Sequence, residues 1–367
     1  MPKKVLIFSL SYFPMSGGAE VALKEITSRI SANKSEFDMV TMRFDKSHLK
    51  FEKLGNINIY RISGGSGYLS KILFIPQATF FALRRKYDFY WAMMTYMLFP
   101  VVLLRLLGKK IPYLLTLQDG DPYEHVFARL RILPFLPMLI YGFRHASKIQ
   151  AISNFLAEWA KQMGYRGEVE VIPNGVDIKK FEIQDLRFKN EDEVVLITTS
   201  RLVKKNGVGD VIEAMKFLPE NVKFRILGTG PLEKGLKLKV NSLQLQHKVE
   251  FLGEIPHFDI SKCLHEADIF IRPSLSEGQG ISFLEGMAAG LPVIATPVGG
   301  IPDFLKDGET GIFCEPNNPA SIARAVQRLI ADEPLKKRIV DNASRMVREK
   351  YDWDLIAQEM KSRVFNI

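Results

Sequence analysis

The sequence predicts two doubly wound α/β domains in tandem, each a largely parallel sheet wrapped in helices. Three observations carry that expectation. The chain has 367 residues, too many for one ordinary core and about right for two domains of roughly 150–200 residues each. Short apolar or β-branched runs alternate with segments of helical period, the pattern of parallel sheets. The alternation falls into two series, parted by the turn-forming stretch Pro173-Asn174-Gly175-Val176-Asp177 and a polar segment from Lys179 to Glu193.

In the first series the strand-like runs are Val5–Leu10, Phe37–Met42, Ile57–Ile62, Phe89–Met93, Tyr113–Leu117, Lys148–Ala151 and Val169–Ile172. The first helix puts Leu23, Ile26 and Ile30 on one face, with Lys24, Glu25 and Arg29 turned away. Phe89 to Leu104 is 16 residues without a charge, just under the roughly 20 that cross a bilayer. It contains Pro100 and reads as a buried strand followed by a helix. The second series has Val194–Thr199, Val222–Leu227, Val249–Leu252, Ile269–Arg272, Val293–Thr296 and Gly311–Phe313, with helices such as Gly207–Lys216 and Ile281–Gly290 between them. No sequence repeat accompanies this repeated architecture. A ligand of two such domains is expected in the cleft between them, at the carboxyl ends of the strands.

Composition narrows the class. At 47% hydrophobic and 25% charged, the chain is neither disordered, collagen-like nor coiled coil. Cys263 and Cys314 cannot form a disulfide framework or a zinc ribbon, so a reduced cytosol is the expected compartment. The opening apolar run, Val5 to Leu10, is too short for a secretory signal. Residues 1–170 carry 23 Lys and Arg against 13 Asp and Glu, so the whole net charge of +9 comes from the first half. Nucleic acid, an anionic membrane surface and phosphate-bearing substrates are the usual partners of such asymmetry.

The densest chemical signal runs from Pro273 to Val293. A strand ends at Arg272, a turn passes through Gly278-Gln279-Gly280, and a helix opens near Gly280 and closes at Gly290. Glycines let the backbone approach a ligand, and the first-turn amides favour an anion such as diphosphate. Glu285 sits about one turn into that helix, placed to accept hydrogen bonds from vicinal hydroxyls. Glu277 lies eight positions earlier, on the other side of the anion site. Two carboxylates there carry a desolvation cost unless each has a polyol to hold.

This string resembles the Glu-x7-Glu motif of the retaining nucleotide-sugar glycosyltransferases of family 4, which have the two-domain GT-B fold. The resemblance spans nearly the whole chain. It includes Gly17-Gly18-Ala19-Glu20, the Val171–Asp177 stretch with Phe181, and Ser200-Arg201-Leu202-Val203. It goes on through Leu227-Gly228-Thr229-Gly230-Pro231-Leu232, Pro297–Pro302 and Asp307–Gly311. It implies an acceptor-binding domain at 1–177, a donor-binding domain at 178–350, and a C-terminal helix at 351–367 that packs back on the first. It also implies that Glu285 binds the donor ribose and Glu277 the donor sugar, while amides around Gly280, Ile281, Ser282 and Phe283 hold the distal phosphate. Arg201 would neutralise the diphosphate and support its departure, a task suited to a bidentate guanidinium. Gly17 and Gly18 would bring amides to the phosphates, or else form only a tight βα turn.

Two positions depart from the family. A lysine often follows the arginine by five residues; here that place is Asn206, and Lys205 is the neighbouring cation. A histidine often faces the donor sugar after the strand Tyr113–Leu117; here stand Gln118 and Asp119. Gln118 can hydrogen-bond a hydroxyl, and Asp119 can take a proton; His125 lies further on, in the next helix. Asp119-Gly120-Asp121 also has the Asp-x-Asp form of a metal site, but such matches are common by chance and Asp-Gly is ordinary turn chemistry. No metal or other cofactor is expected, the nucleotide-sugar being a substrate. The six histidines show no metal-ligand spacing, and Gly228-Thr229-Gly230-Pro231 fails the dinucleotide fingerprint.

The expected function is sugar transfer from a UDP- or GDP-linked donor to a hydroxyl acceptor, a lipid-linked or polysaccharide envelope glycan. The expected location is the cytoplasm. Cations mixed with aromatics in Phe80–Lys86 and Phe127–Met138 add the anionic cytoplasmic face of the membrane as a partner, with Phe127, Leu130 and Phe135 as inserting side chains. Dispersed basic residues without a recognition motif argue against nucleic acid. A degenerate relative that binds nucleotide-sugar without turnover is one alternative. A peripheral membrane or nucleic-acid protein without sugar chemistry is another, and it leaves the paired glutamates unexplained.

Overall fold

A computed structural model describes residues 2–366 except 16, 66, 182–191 and 257; most of the polar segment after the boundary therefore lies outside the described residues. The chain divides into one unit of Met1–Asn174 with Trp353–Ile367 and another of Gly175–Asp352. The division falls three residues before the boundary expected at Asp177. Val176 explains this: its N–H donates to Tyr351 O at 2.7 Å, and it bridges to Asp352, both residues of the second unit.

The first unit is built on β1 (Lys3–Phe8), β2 (Ser35–Arg43), β3 (Phe51–Leu54), β4 (Ile57–Gly64), β5 (Phe89–Met93), β6 (Tyr113–Leu117), β7 (Lys148–Ala151) and β8 (Val169–Val171). Their order is β3-β4-β2-β1-β5-β6-β7-β8. All pairings are parallel except β3 with β4. β5 and β6 are buried at every position, as expected of central strands covered by helices on both faces. The uncharged Phe89–Leu104 segment becomes β5, a short 3-10 turn and the helix Leu98–Leu106. Among the described residues no helix is long and apolar enough to cross a membrane.

The C-terminal segment, helix Trp353–Glu359 and a π-helical turn Met360–Phe365, is fixed to this sheet. Phe365 packs edge-on against Trp91 with ring centroids 5.1 Å apart, and against Phe37 and Phe89 at 6.4 Å. Arg363 pairs with Glu170 at 2.7 Å, and Arg29 with Asp354 at 2.6 Å.

The second unit has β9 (Val194–Thr199), β10 (Val222–Leu227), β11 (Val249–Gly253), β12 (Ile269–Arg272), β13 (Val293–Ala295) and β14 (Ile312–Phe313). The order is β11-β10-β9-β12-β13-β14, all parallel. Two apolar clusters cover the faces of this sheet, one around Ile212, Phe224 and Val326, the other around Phe270, Leu284 and Phe304. The chain winds outward from β9 through β10 to β11, then returns to add β12 on the other side of β9. The switch point therefore lies between β9 and β12, where open α/β sheets bind ligands.

Candidate active site

Four loops leave the carboxyl ends of β10, β9, β12 and β13, and close backbone contacts bind them together. After β9 the chain runs through Arg201 and turns at Gly207, whose φ is +68°. A side-chain carbon at Gly207 would stand 2.0 Å from Pro273 O, in the loop after β12. Lys205 O accepts from Leu275 N at 2.6 Å, tying the same two loops. After β10, Gly228 lies so near Ser200 O that a Cβ would stand at 2.1 Å. After β13, Gly300 N donates to Glu277 O at 3.1 Å. Glycine is required at 207 because the approach is too close and the backbone left-handed.

Glu277 and Glu285 flank the glycine turn. Gly280 caps the helix Ile281–Ala288 with φ +86°. The Glu277 carboxylate is mostly buried; Oε2 accepts a hydrogen bond from Arg272 Nη2 at 2.5 Å, and Oε1 accepts from Gly278 N at 3.1 Å. Glu285 is buried one turn into the helix. Arg272 closes β12 with its guanidinium inside the protein. Nη1 donates to Ser282 Oγ at 2.7 Å, and the group lies 4.2 Å from the Phe283 ring centroid. Burial lowers its pKa, while the charges of Glu277 and Glu285 act in the opposite sense. Phe283 N donates to Gly280 O at 3.1 Å, so that amide is already engaged; Ile281 and Ser282 supply the remaining amides of the first turn.

Arg201 is exposed just past β9. Asn206 is buried and its Nδ2 donates to Arg201 O at 2.6 Å. The residue at the family's lysine position thus fixes the arginine's backbone. Lys205 is half-buried beside it. The same strand ends carry buried polar atoms with no protein partner: Oγ1 of Thr198 and Thr199, Oγ of Ser200 and Ser274, and Arg272 Nε. Buried polar groups are nearly always satisfied, so these atoms, each shielded from solvent, form an unpaired polar lining at the β9–β12 switch point.

The first unit places its expected site residues differently. Gly17 N donates to Glu20 Oε2 at 2.9 Å in a capping arrangement, so its amide serves helix Gly18–Ser28, of which Gly18 is the first residue. This arrangement fits the tight βα turn, the second of the two readings of Gly17 and Gly18. Gln118 and Asn174 exchange amide hydrogen bonds at 3.0 and 3.2 Å. Asp119 is buried, and its Oδ2 accepts from Thr95 Oγ1 at 3.0 Å and Thr95 N at 3.4 Å. Thr95 is presented by Met94, whose φ of +69° is unusual for a residue with a side chain. Burial pushes the Asp119 carboxyl up to about 6, partly offset by the Thr95 hydrogen bonds. Asp121 instead faces His125, 4.0 Å away, so the two carboxylates point to different partners.

The surface of this unit also differs from the sequence expectation. Phe127 is 2% exposed and packs on Tyr123, Phe143 and Trp159, so it has no ring to insert into lipid. Pro134 and Pro137 interrupt the stretch, which becomes a 3-10 turn and the helix Leu136–Arg144. Leu130 is 87% exposed and Phe135 half so. A stripe along helix Tyr68–Leu83 joins them, with Leu69, Ile72, Leu73 and Phe80 exposed and Arg131 lying 5.3 Å from the Tyr68 ring.

Arg272 is the site residue that sequence reasoning left without a part. Its only signal was a cation closing an otherwise apolar strand, Ile269-Phe270-Ile271-Arg272.

Known proteins share this architecture. Residues 16–180 match the family described as Glycosyltransferase Family 4, and residues 179–346 the family described as Glycosyl transferases group 1. The uncharacterized glycosyltransferase MJ1607 of Methanocaldococcus jannaschii is 28% identical over 97% of this chain and 96% of its own length. The putative colanic acid biosynthesis glycosyltransferase WcaL of Escherichia coli K12 is 30% identical over 59% of this chain and 55% of its own. The crystal structure of Anabaena HepE in complex with UDP-glucose superposes with a TM-score of 0.81, covering 99% of this chain and 100% of that one at 21% identity. Two doubly wound units and these matches along nearly all the sequence lead to one conclusion: the chain belongs to the GT-B glycosyltransferases of family 4.

Proposed function

We propose that the enzyme transfers a sugar, with retention, from a UDP- or GDP-linked donor to a hydroxyl of an envelope glycan, lipid-linked or polysaccharide. The observation that carries this reading is the β9–β12 switch point, where buried Glu285, partly buried Glu277, an exposed arginine and unpartnered hydroxyls lie on neighbouring strand ends. Glu285 holds the ribose and Glu277 the sugar, while the Ile281 and Ser282 amides and Arg201 hold the diphosphate. HepE, with the same fold, holds UDP-glucose, and WcaL is named for a polysaccharide; both support the choice of substrates.

In the reaction the C1–O bond to the diphosphate breaks, the acceptor oxygen bonds C1 on the same face, and its proton passes to the departing phosphate. Charge grows on the leaving group, and Arg201 with the helix amides stabilises it. No metal is needed for that task. The exposed stripe of helix Tyr68–Leu83 with Leu130 and the surrounding cations suits the anionic cytoplasmic face of a membrane.

A thermal-shift panel of UDP, GDP, ADP and TDP tests the donor site. A ligand at 100 times its Kd adds about 2.7 kcal/mol of stability. One nucleotide is expected to raise the melting temperature; no shift with any of the four would contradict the reading.

A further inference from the structure

We propose that Arg272 is a positioning residue of the donor site: its guanidinium spans the glycine turn, fixes the Glu277 carboxylate for the donor sugar, and balances the Glu277 and Glu285 charges beside the diphosphate. The inference rests on the nucleotide-sugar reading above. It starts from the two ends of the turn. Arg272 Nη2 holds Glu277 at 2.5 Å before the glycines, and Nη1 holds Ser282 Oγ at 2.7 Å after them. One rigid fork therefore sets the distance across Gly278-Gln279-Gly280. A lysine, a point charge on a flexible stem, cannot hold both partners in that geometry.

The fork itself has little room to move. It lies on the Phe283 ring, and a Cβ at Gly280 would stand 2.6 Å from Nη2 and 2.5 Å from Phe283 Cδ2. The left-handed glycine is therefore needed partly to make space for Arg272. Glu277 is held at both oxygens, by Arg272 and by Gly278 N. Each carboxylate oxygen keeps a further lone pair for a hydroxyl donor. A buried ion pair is poor evidence of stability, since apolar residues of like volume often do as well. Orientation and charge balance account for this one better. Two carboxylates and a diphosphate bring several negative charges together, and Arg201 and the helix amides are assigned to the diphosphate, leaving the carboxylates to Arg272.

A double-mutant cycle on the full chain tests this, using calorimetric titration with UDP and UDP-glucose, or with GDP and GDP-glucose if guanine is the base selected by thermal shift. Arg272→Met is expected to weaken the sugar nucleotide about tenfold or more, and the free nucleotide by less than about threefold. Arg272→Lys should recover part of the loss. In a Glu277→Gln background, Arg272→Met should cost the sugar nucleotide no more than the less than about threefold lost by the free nucleotide, because the larger effect runs through that carboxylate. Equal weakening of both ligands, or the same loss with and without Glu277, would reduce Arg272 to a strut of the loop and overturn the proposal. Wild-type affinity in Arg272→Met would overturn it too. If Arg272→Met does not fold, Arg272→Lys against Glu277→Gln closes the same cycle. A wild-type chain that binds neither ligand of either pair instead refutes the nucleotide-sugar reading, and the role of Arg272 falls with it.

Discussion

Past the carboxyl ends of β1 and β6 in the first unit, three expected site residues find partners within that unit. The Gly17 amide serves Glu20, Gln118 pairs with Asn174, and Asp119 is held by Thr95. The corresponding ends of β9 and β12 in the second unit leave four hydroxyls and Arg272 Nε without a protein partner. The first unit carries the positive excess and an exposed apolar stripe; the second is nearly neutral in charge. A doubly wound sheet thus supports two kinds of surface. Where strand-end groups close on each other the fold builds a frame, and where they stay open it leaves room for a ligand.

The sharpest way to break this contrast is to remove the exposed cation of the open site. Arg201→Ala is expected to cut turnover by about 10²–10³-fold or more while the melting temperature holds, because the charge it meets develops in the transition state. Assaying turnover in EDTA also checks that no metal shares the task. Undiminished activity in Arg201→Ala would remove that residue from the mechanism, and activity lost to EDTA and restored by Mn²⁺ would return attention to Asp119 and Asp121.

A smaller effect belongs to the closed ends of the first unit. The Asp119 carboxyl titrates near 6 in the folded chain and near 3.9 when unfolded. The folded state therefore binds this proton more tightly. Its contribution to stability is present below about pH 4 and is lost as pH rises toward 6. Asp119→Asn escapes that loss, so its stability relative to wild type should improve by about 2 kcal/mol between pH 4.5 and pH 7. Denaturant melts at the two pH values measure it. A difference independent of pH would mean the carboxyl is not desolvated as described.

The least effect, several-fold, is expected at the surface of the first unit. Binding to anionic vesicles should weaken with salt without vanishing, because charge is screened over about 8 Å at physiological ionic strength and apolar contact is not. Replacing Leu69, Leu73 and Leu130 by Gln should lower co-sedimentation several-fold and leave nucleotide affinity unchanged. Protein remaining in the supernatant with anionic lipid at low salt would assign the basic face to another partner.

Much of the frame was legible because parallel strands buried on both faces read as continuous apolar runs, as in Phe89–Met93. β3 was missed for the converse reason. Phe51-Glu52-Lys53-Leu54 is an exposed antiparallel edge with no apolar period to betray it. The glycine turn and its two glutamates could be read from spacing, since left-handed turns and close approaches demand particular residues. Arg272 could not, because its part depends on Glu277 returning five residues later to meet it. Phe127 and Leu130 look alike in sequence; prolines and packing bury one and expose the other.

The central claim is that nucleotide binding belongs to the open strand ends of the second unit. Its most direct test is the nucleotide-induced melting shift, measured side by side in wild type, Glu285→Ala and Asp119→Asn. The account predicts that Asp119→Asn keeps the full shift and Glu285→Ala loses most of it, in keeping with a lost charge-assisted contact to the ribose. A shift retained by Glu285→Ala and lost by Asp119→Asn would place the nucleotide in the first unit and contradict the account.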